Sequence, residues 1–206
     1  MKLAKFKFHY LYAILIALIL FILAAIIIAN LKYSLTDKQR NNICYIFKKY
    51  PNWYKYSKAS EKRWGTPVWT QLAIINQESK FKANARSQPK KIFGIPIPFT
   101  HKSSAYGYSQ ALNSSWQNYS DFIDNNYAKR NIFKNSTDFI AWYIYRARKY
   151  LHLNNSQIKD LYLAYHEGIN GYRKKNYRKN KVTVSAASKV SKIANKYRSQ
   201  FKDCRI

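Results

Sequence analysis

Carboxylates are scarce in this chain of 206 residues: 9 Asp and Glu stand against 37 Lys and Arg, a formal charge of +28. Chemistry that needs a carboxylate must draw on Asp37, Glu61, Glu78, Asp121, Asp124, Asp138, Asp160, Glu167 or Asp203. Cysteine is nearly absent. Cys44 and Cys204 form no Cys-x-x-Cys, so zinc and thioredoxin-like chemistry have no support. His166-Glu167 opens like a zinc-binding His-Glu-x-x-His helix, but Asn170 stands where the second His belongs. His9, His101 and His152 are isolated and receive no role. No metal or other cofactor is expected. The chain shows no internal repeat, no convincing run of alternating strand residues, and no helix-turn-helix, zinc-finger or RNA-recognition signature, so no nucleic-acid partner is expected.

Positive charge and aromatic rings are plentiful. The basic residues are spread along the chain, which reads as a solvated surface or as a preference for anionic partners: nucleic acid, acidic lipid or a polyanionic wall polymer. The 19 Tyr offer flat apolar faces with a hydroxyl, suited to sugars, bases and membrane interfaces.

Residues 1–9 form a short basic tail with Lys2, Lys5 and Lys7. Leu11 to Ala29 then gives 19 residues interrupted only by Tyr12. As a helix this run is about 28 Å long, close to the thickness of a bilayer core. A cleaved leader would be shorter and would end in an Ala-x-Ala-like site, which Ile26 to Leu31 does not supply cleanly. The expectation is an uncleaved transmembrane anchor over residues 10–31. Lys32, Lys38, Arg40, Lys48 and Lys49 lean against export of the C-terminal part of the chain. Residues 32–43 are read as a linker and the start of the first helix, and residues 44–206 as an all-α domain.

Within that domain, a helix capped by Thr36 is predicted to run to Lys49, with Pro51 breaking it. A second runs from Trp53 to Trp64 and stops at Gly65. Thr66 and Pro67 predict a third, with Thr66 as N-cap and Pro67 at the first helical position. Val68, Leu72, Ile75 and Ser79 form its buried stripe. Further helices are expected over 120–128, from Ser136 or Thr137 to Tyr150, and from Asn155 or Ser156 to Gly168. Residues 171–181 read as a basic loop. A last amphipathic helix shows Ala186, Val190, Ile193, Tyr197 and Phe201. Between Lys82 and Ser104, Pro89, Gly94, Pro96 and Pro98 mark a loop. Its apolar centre, Ile92 to Phe99, either packs back on the domain or forms a lip over a cleft or a patch touching lipid. Cys44 and Cys204 bracket the domain. They are plain thiols in a cytosolic chain; bonded, they would close nearly all of it into one loop, a constraint on the order of 4 kcal/mol.

One acid stands out. Glu78 lies on the flank of an apolar stripe, beside Ile74 and Ile75. Partial desolvation there disfavours its charged form and lets it hold a proton near neutrality. The alternative is a surface Glu at a helix end.

Four segments in order give this residue a context. Gln77-Glu78-Ser79-Lys80-Phe81 ends a helix, and Ala83-Asn84-Ala85-Arg86-Ser87 comes directly after it. Ala105-Tyr106-Gly107-Tyr108-Ser109-Gln110 is the third, and Ala164-Tyr165-His166-Glu167-Gly168 closes a later helix. Together they resemble the soluble-lytic-transglycosylase-like family of peptidoglycan-cleaving enzymes, whose fold is lysozyme-like. The resemblance covers about Cys44 to Tyr197. The family carries Glu-Ser, Gly-Leu-Met-Gln and Ala-Tyr-Asn-Ala-Gly; here Tyr108 and Ser109 replace Leu and Met, and His166 and Glu167 replace Asn and Ala.

The resemblance implies that Glu78 is the catalytic acid and base. It implies that Ser79, Tyr106, Gly107, Gln110 and Tyr165 belong to the sugar-binding site, with Gln110 and Tyr165 contacting the sugar or holding Glu78. Glu167 is the departure with chemical weight. It is either a second active-site carboxylate, which would make water the nucleophile, or a structural ion pair with Arg173, Lys174 or Lys175. The expected activity is cleavage of glycan strands to 1,6-anhydro products. The alternatives are a water-using muramidase and a non-catalytic wall-binding scaffold. The implied setting is the bacterial inner membrane, crossed once, with the domain in the periplasm and an envelope-spanning machine as a possible partner.

Overall fold

A computed structural model describes residues 12–25 and 34–204, and its chain divides into two units, residues 1–35 and residues 36–206. In the first unit, helix α1 covers residues 12–25 and all its described side chains are exposed. The expected anchor over 10–31 falls partly outside the described residues. Among those described, no helix is long and apolar enough to cross a membrane.

The second unit is helical around one buried rod. In order it comprises α2 (Asp37–Arg40), α3 (Ile43–Lys49), α4 (Pro51–Trp64), α5 (Val68–Ser79), β1 (Lys91–Ile92), β2 (Ile95–Pro96), α6 (Asn113–Phe122), α7 (Phe133–Leu151), α8 (Ile158–Glu167), α9 (Ile169–Arg173), a 3-10 turn (Asn176–Lys179) and α10 (Lys181–Asp203). Helices α10, α7 and α4 pack around α5. This explains why α5 is buried on nearly every side rather than along one stripe: Thr70, Gln71, Ala73, Ile74 and Asn76 join Val68, Leu72, Ile75 and Ser79 inside.

Polar groups on so buried a helix need partners. Gln71 donates through Nε2 to the carbonyls of Ser57 (3.1 Å) and Thr66 (2.7 Å), and its Oε1 accepts from Thr137 Oγ1 (2.6 Å). That one amide joins α4, α5 and α7. Asn76 donates to Tyr197 Oη (2.9 Å) and accepts from Arg40 Nη1 (3.1 Å), joining α5 to α10 and α2. Asp138 of α7 accepts from Ser60 Oγ (3.1 Å), Trp64 Nε1 (3.0 Å) and Tyr119 Oη (2.8 Å), which makes this acid a structural one. The sulfurs of Cys44 and Cys204 are bonded, with Cα atoms 5.4 Å apart across a separation of 160 residues. The bond pins the start of α3 to the end of α10.

Several local expectations are corrected. Thr66 is not the cap of α5: its hydroxyl donates to the Ala141 carbonyl (2.9 Å), and Pro67 occupies the cap position. The helix expected over 36–49 is two. Thr36 and Gln39 form a capping box on α2, and Asn42 then caps α3 by accepting from Tyr45 N, so the Asn41-Asn42 pair ends one helix and starts the next. Helix α4 begins at Pro51, a residue suited to a first turn where no donor is missed. Helix α6 lies at 113–122 rather than 120–128, because Trp116 and Tyr119 bury its inner face against α7. The basic stretch 171–181 holds α9 and the 3-10 turn. The inner face of α10 is Thr183, Ala187, Val190, Ala194 and Tyr197, since small residues let it approach α5 and α8 closely. The Pro-rich loop also contains a strand pair. β1 and β2 pair antiparallel, Lys91 with Pro96 and Ile92 with Ile95, around a two-residue turn in which Phe93 (φ 48°) and Gly94 (φ 83°) are both left-handed.

Candidate active site

Glu78 sits in the last turn of α5. Lys80 (φ 53°) and Phe81 (φ 61°) then take the left-handed conformation and turn the chain away, so the carboxyl stands at the end of the rod. A helix C-terminus presents partial negative charge and does not favour an anion. The side chain lines a cleft of about 330 Å³ whose walls come from three places. The 105–112 segment supplies Gln110, α7 supplies Phe139 and Tyr143, and the end of α8 supplies Tyr165, His166 and Glu167. A second hollow shares Tyr143, Glu167 and Gly168 with it and extends the groove to Arg146.

Glu78 Oε1 is shut off from solvent and has no hydrogen-bond partner among the described residues. Burial pushes the Glu78 pKa up to about 6, while the nearby Tyr162 hydroxyl and the charge of a protonated His166 pull in the opposite direction. Burial prevails over these two influences because Oε1 is closed off from solvent, although the residue as a whole is half-buried and faces the cleft. The carboxyl in turn raises the pKa of Tyr162 and of Tyr165, already raised by burial, so both phenols stay neutral donors. The result is one acid that exchanges a proton near neutrality, facing an open groove.

The 105–110 segment is built to stay still. Tyr106 bridges to Arg86 on one side and Ala111 on the other. Gly107 N donates to the Ala85 carbonyl (2.9 Å), and Gln110 Nε2 donates to the carbonyls of Ala85 (2.9 Å) and Gly107 (2.8 Å). Gly107 has φ 78°, and a Cβ added there would lie 2.0 Å from the Arg130 carbonyl oxygen. Gly107→Ala is therefore expected to cost about 2 kcal/mol or more and to dislodge Gln110. A urea melt and a cleavage assay on the same preparation check this; wild-type stability would show that the segment is not held as described.

Gln110, Tyr165 and Glu167 line the cleft with Glu78, whereas Ser79, Tyr106 and Gly107 are not among its lining residues. Ser79 is buried and donates to the Ile75 carbonyl (3.1 Å). Tyr106 donates to Asn84 Oδ1 (2.8 Å), with the Arg86 and Arg130 guanidinium groups 4.5 and 5.4 Å from its ring centroid. Tyr165 donates to the Ser109 carbonyl (2.6 Å), tying α8 to the 105–110 segment. Glu167 makes no ion pair with Arg173, Lys174 or Lys175 among the described residues. Its Oε1 instead lies 3.3 Å from His166 Nδ1. Gly168 (φ 78°, ψ 155°) ends α8 directly after Glu167 and breaks the helical spacing that would bring Arg173 back to it. Tyr143, Tyr162 and His166 are site residues that motif reading misses. Tyr162 was reachable: it is three residues before Tyr165 on one helix, hence on the same face. Among the described residues no group of three His, Cys, Asp or Glu is placed to share a metal ion.

A mainly helical domain that points one buried Glu from a central helix into a groove has the layout of a lysozyme-like glycan-cleaving enzyme. The family model described as transglycosylase SLT domain matches residues 14–204, and the chain belongs to that family. No curated protein and no solved structure matches it. Membership implies a transglycosylase-type enzyme acting on peptidoglycan.

Proposed function

We propose that the chain is a lytic transglycosylase that cleaves the β-1,4 bond between N-acetylmuramic acid and N-acetylglucosamine, with Glu78 as both acid and base. The observation that carries this reading is the Glu78 carboxyl, facing the cleft with its pKa raised to about 6. At pH 7 roughly a tenth of such groups carry the proton, and the fraction rises quickly below that. The protonated acid donates to the glycosidic oxygen as the bond to the anomeric carbon breaks. The Glu78 anion then takes the proton of the muramic acid 6-hydroxyl, whose oxygen bonds to the anomeric carbon. One bond forms for the one broken, no water enters, and Glu78 is protonated again.

Glu167 supports a second reading, because it lines the same cleft. As a base it would activate water, and the enzyme would be a muramidase. Mass spectrometry of digested wall fragments separates the two. The expected products are one water lighter than hydrolytic fragments, and Glu167→Gln retains activity within about tenfold, since a lone acid needs no second carboxylate. Fragments of full hydrolytic mass, together with loss of activity in Glu167→Gln, would establish the muramidase instead.

The same reading tethers the domain through residues 10–31 to the bacterial inner membrane and sets it among glycan strands in the periplasm. The bond between Cys44 and Cys204 suits an oxidising compartment, and the +28 charge suits an acidic wall. An enzyme held at the membrane that opens gaps in the wall would serve an envelope-spanning machine. A reporter fused after Ile206 is expected to be active outside the cytoplasm; activity inside it would rule out this setting.

A further inference from the structure

The hairpin between the Glu78 helix and the 105–110 segment presents its apolar side chains to solvent. Phe93 is 100% exposed, Phe99 102%, Ile95 71% and Ile92 57%. It is nevertheless tied together by hydrogen bonds. Ile97 N donates to the Lys90 carbonyl (2.9 Å), Lys90 N to Thr100 Oγ1 (3.1 Å) and Lys102 N to the Gln88 carbonyl (2.9 Å). Below these, Ser87 Oγ donates to the Ser103 carbonyl (3.0 Å) and accepts from Ser103 N (3.1 Å). A paired stalk thus holds up a greasy tip, whose base leads within two residues of Ser103 to Ala105, a cleft-lining residue. Large apolar groups ordered in water mark a surface that is covered in use.

We propose that this tip docks into the headgroup layer of an anionic lipid bilayer, with Phe93 and Phe99 below the phosphates and Lys90, Lys91 and Lys102 at their level. Three observations select lipid. The apolar residues run from Ile92 to Phe99 without a charge, and exposed lysines flank them on both sides, as interfacial insertion requires. The backbone of the tip leaves few donors to hydrate: β1 and β2 pair at Lys91–Pro96 and Ile92–Ile95, Ile97 N donates to the Lys90 carbonyl, and Pro96 and Pro98 bring no N–H. The tip is also small. Its large exposed apolar side chains are four, Ile92, Phe93, Ile95 and Phe99, whereas a stable protein interface takes about 20–30 residues a side. Docked in this way, the cleft is held beside the membrane face. Such docking is the same whether Glu78 transfers sugar to a hydroxyl or to water.

Site-directed spin labelling of the full chain tests it. The protein is oxidised so that Cys44 and Cys204 stay bonded, and a nitroxide is placed at Phe93→Cys or, in a second preparation, at Phe99→Cys. Lys189→Cys, exposed on α10, is the reference. On vesicles of phosphatidylglycerol and phosphatidylcholine, the ratio of collisions with oxygen to collisions with a nickel chelate is expected to rise at least tenfold at 93 and 99. It should not change at 189, nor at any position on phosphatidylcholine alone. Four results would overturn the proposal: no rise at 93 and 99, an equal rise at 189, an equal rise on neutral vesicles, or dipolar broadening that shows two copies paired tip to tip.

Discussion

Glu78→Gln is expected to lose glycan cleavage by about 10³-fold in kcat/KM, and to become more stable relative to wild type as the pH rises. The first effect comes from removing the acid proposed to protonate the glycosidic oxygen, within the 10²–10⁴ range that general acid catalysis supplies. The second comes from the pKa, raised from 4.5 to about 6 in the folded chain. Below 4.5 both folded and unfolded chains hold the proton, and the folded state carries no penalty. Between 4.5 and 6 the unfolded chain releases its proton while the folded one keeps it, so stability falls as pH rises. Above 6 the folded protein carries a buried, poorly partnered charge at a cost of about 2 kcal/mol, at 1.36 kcal/mol per pKa unit. Gln carries no such charge at any pH. Between pH 4 and pH 8 the difference in stability between the two proteins should therefore move by about 2 kcal/mol in favour of the variant, or roughly 4–8 °C in melting temperature. Calorimetry at both pH values measures this. A constant difference would mean that the carboxyl is solvated in the folded protein, and the acid assignment would fail with it. Wild-type cleavage should in parallel decline as pH rises through about 6.

Breaking the Cys44–Cys204 bond is the second large effect. It closes a loop of 160 residues, and the chain-entropy relation gives about 5 kcal/mol for a loop of that size. Domains are stable by about 5–15 kcal/mol in all, so reduction removes a large share of what holds this one folded. Guanidinium melts of wild type with and without dithiothreitol should differ by about that amount, and Cys204→Ser should match reduced wild type and not respond to the reductant. The expected loss falls first on the C-terminal half of α10, which is then held without a covalent link, by the hydrogen bonds of Tyr197 with Asn76 and Arg40, those of Gln200 with Ile43 and Asn41, and the ring contacts of Phe201. A wild type indifferent to reductant would show that the two sulfurs are not bonded in solution.

The parts of this molecule that could be read from its sequence are those where one residue has one physical use. Gly65 stops α4 in the left-handed conformation because it alone there has no Cβ to clash. Glu78 was singled out because acids are few and this one lies close after Ile74 and Ile75. Where a residue has several uses, tertiary structure chose among them. Thr66 reads as a cap, but the Ala141 carbonyl is buried beside it and accepts the hydrogen bond of its hydroxyl. Gln71 reads as an ordinary helical residue and is a junction of three helices, since only the assembled fold shows which donors lack partners. The segment 92–99 shows no strand alternation, because a pair of two-residue strands is too short for any period to appear. At the cleft, chain order placed Gln110 and Tyr165 in the neighbourhood of Glu78. It did not show that both give their hydrogen bonds to backbone carbonyls. It also did not show that Glu167 turns from its basic neighbours toward His166, because that depends on the turn at Gly168.

The disulfide also fixes where a mechanical load enters the domain. Tension arriving through the residues before Thr36 first meets α2, held by Arg40 on Asn76 and by Tyr197 on the Arg40 carbonyl. Those contacts are few, and α2 is four residues long, so it peels away. The load then reaches Cys44, where it passes through sulfur into α10 instead of unzipping α3. The rod that carries Glu78 lies inside the clamped loop, off the covalent path from Cys44 to Cys204.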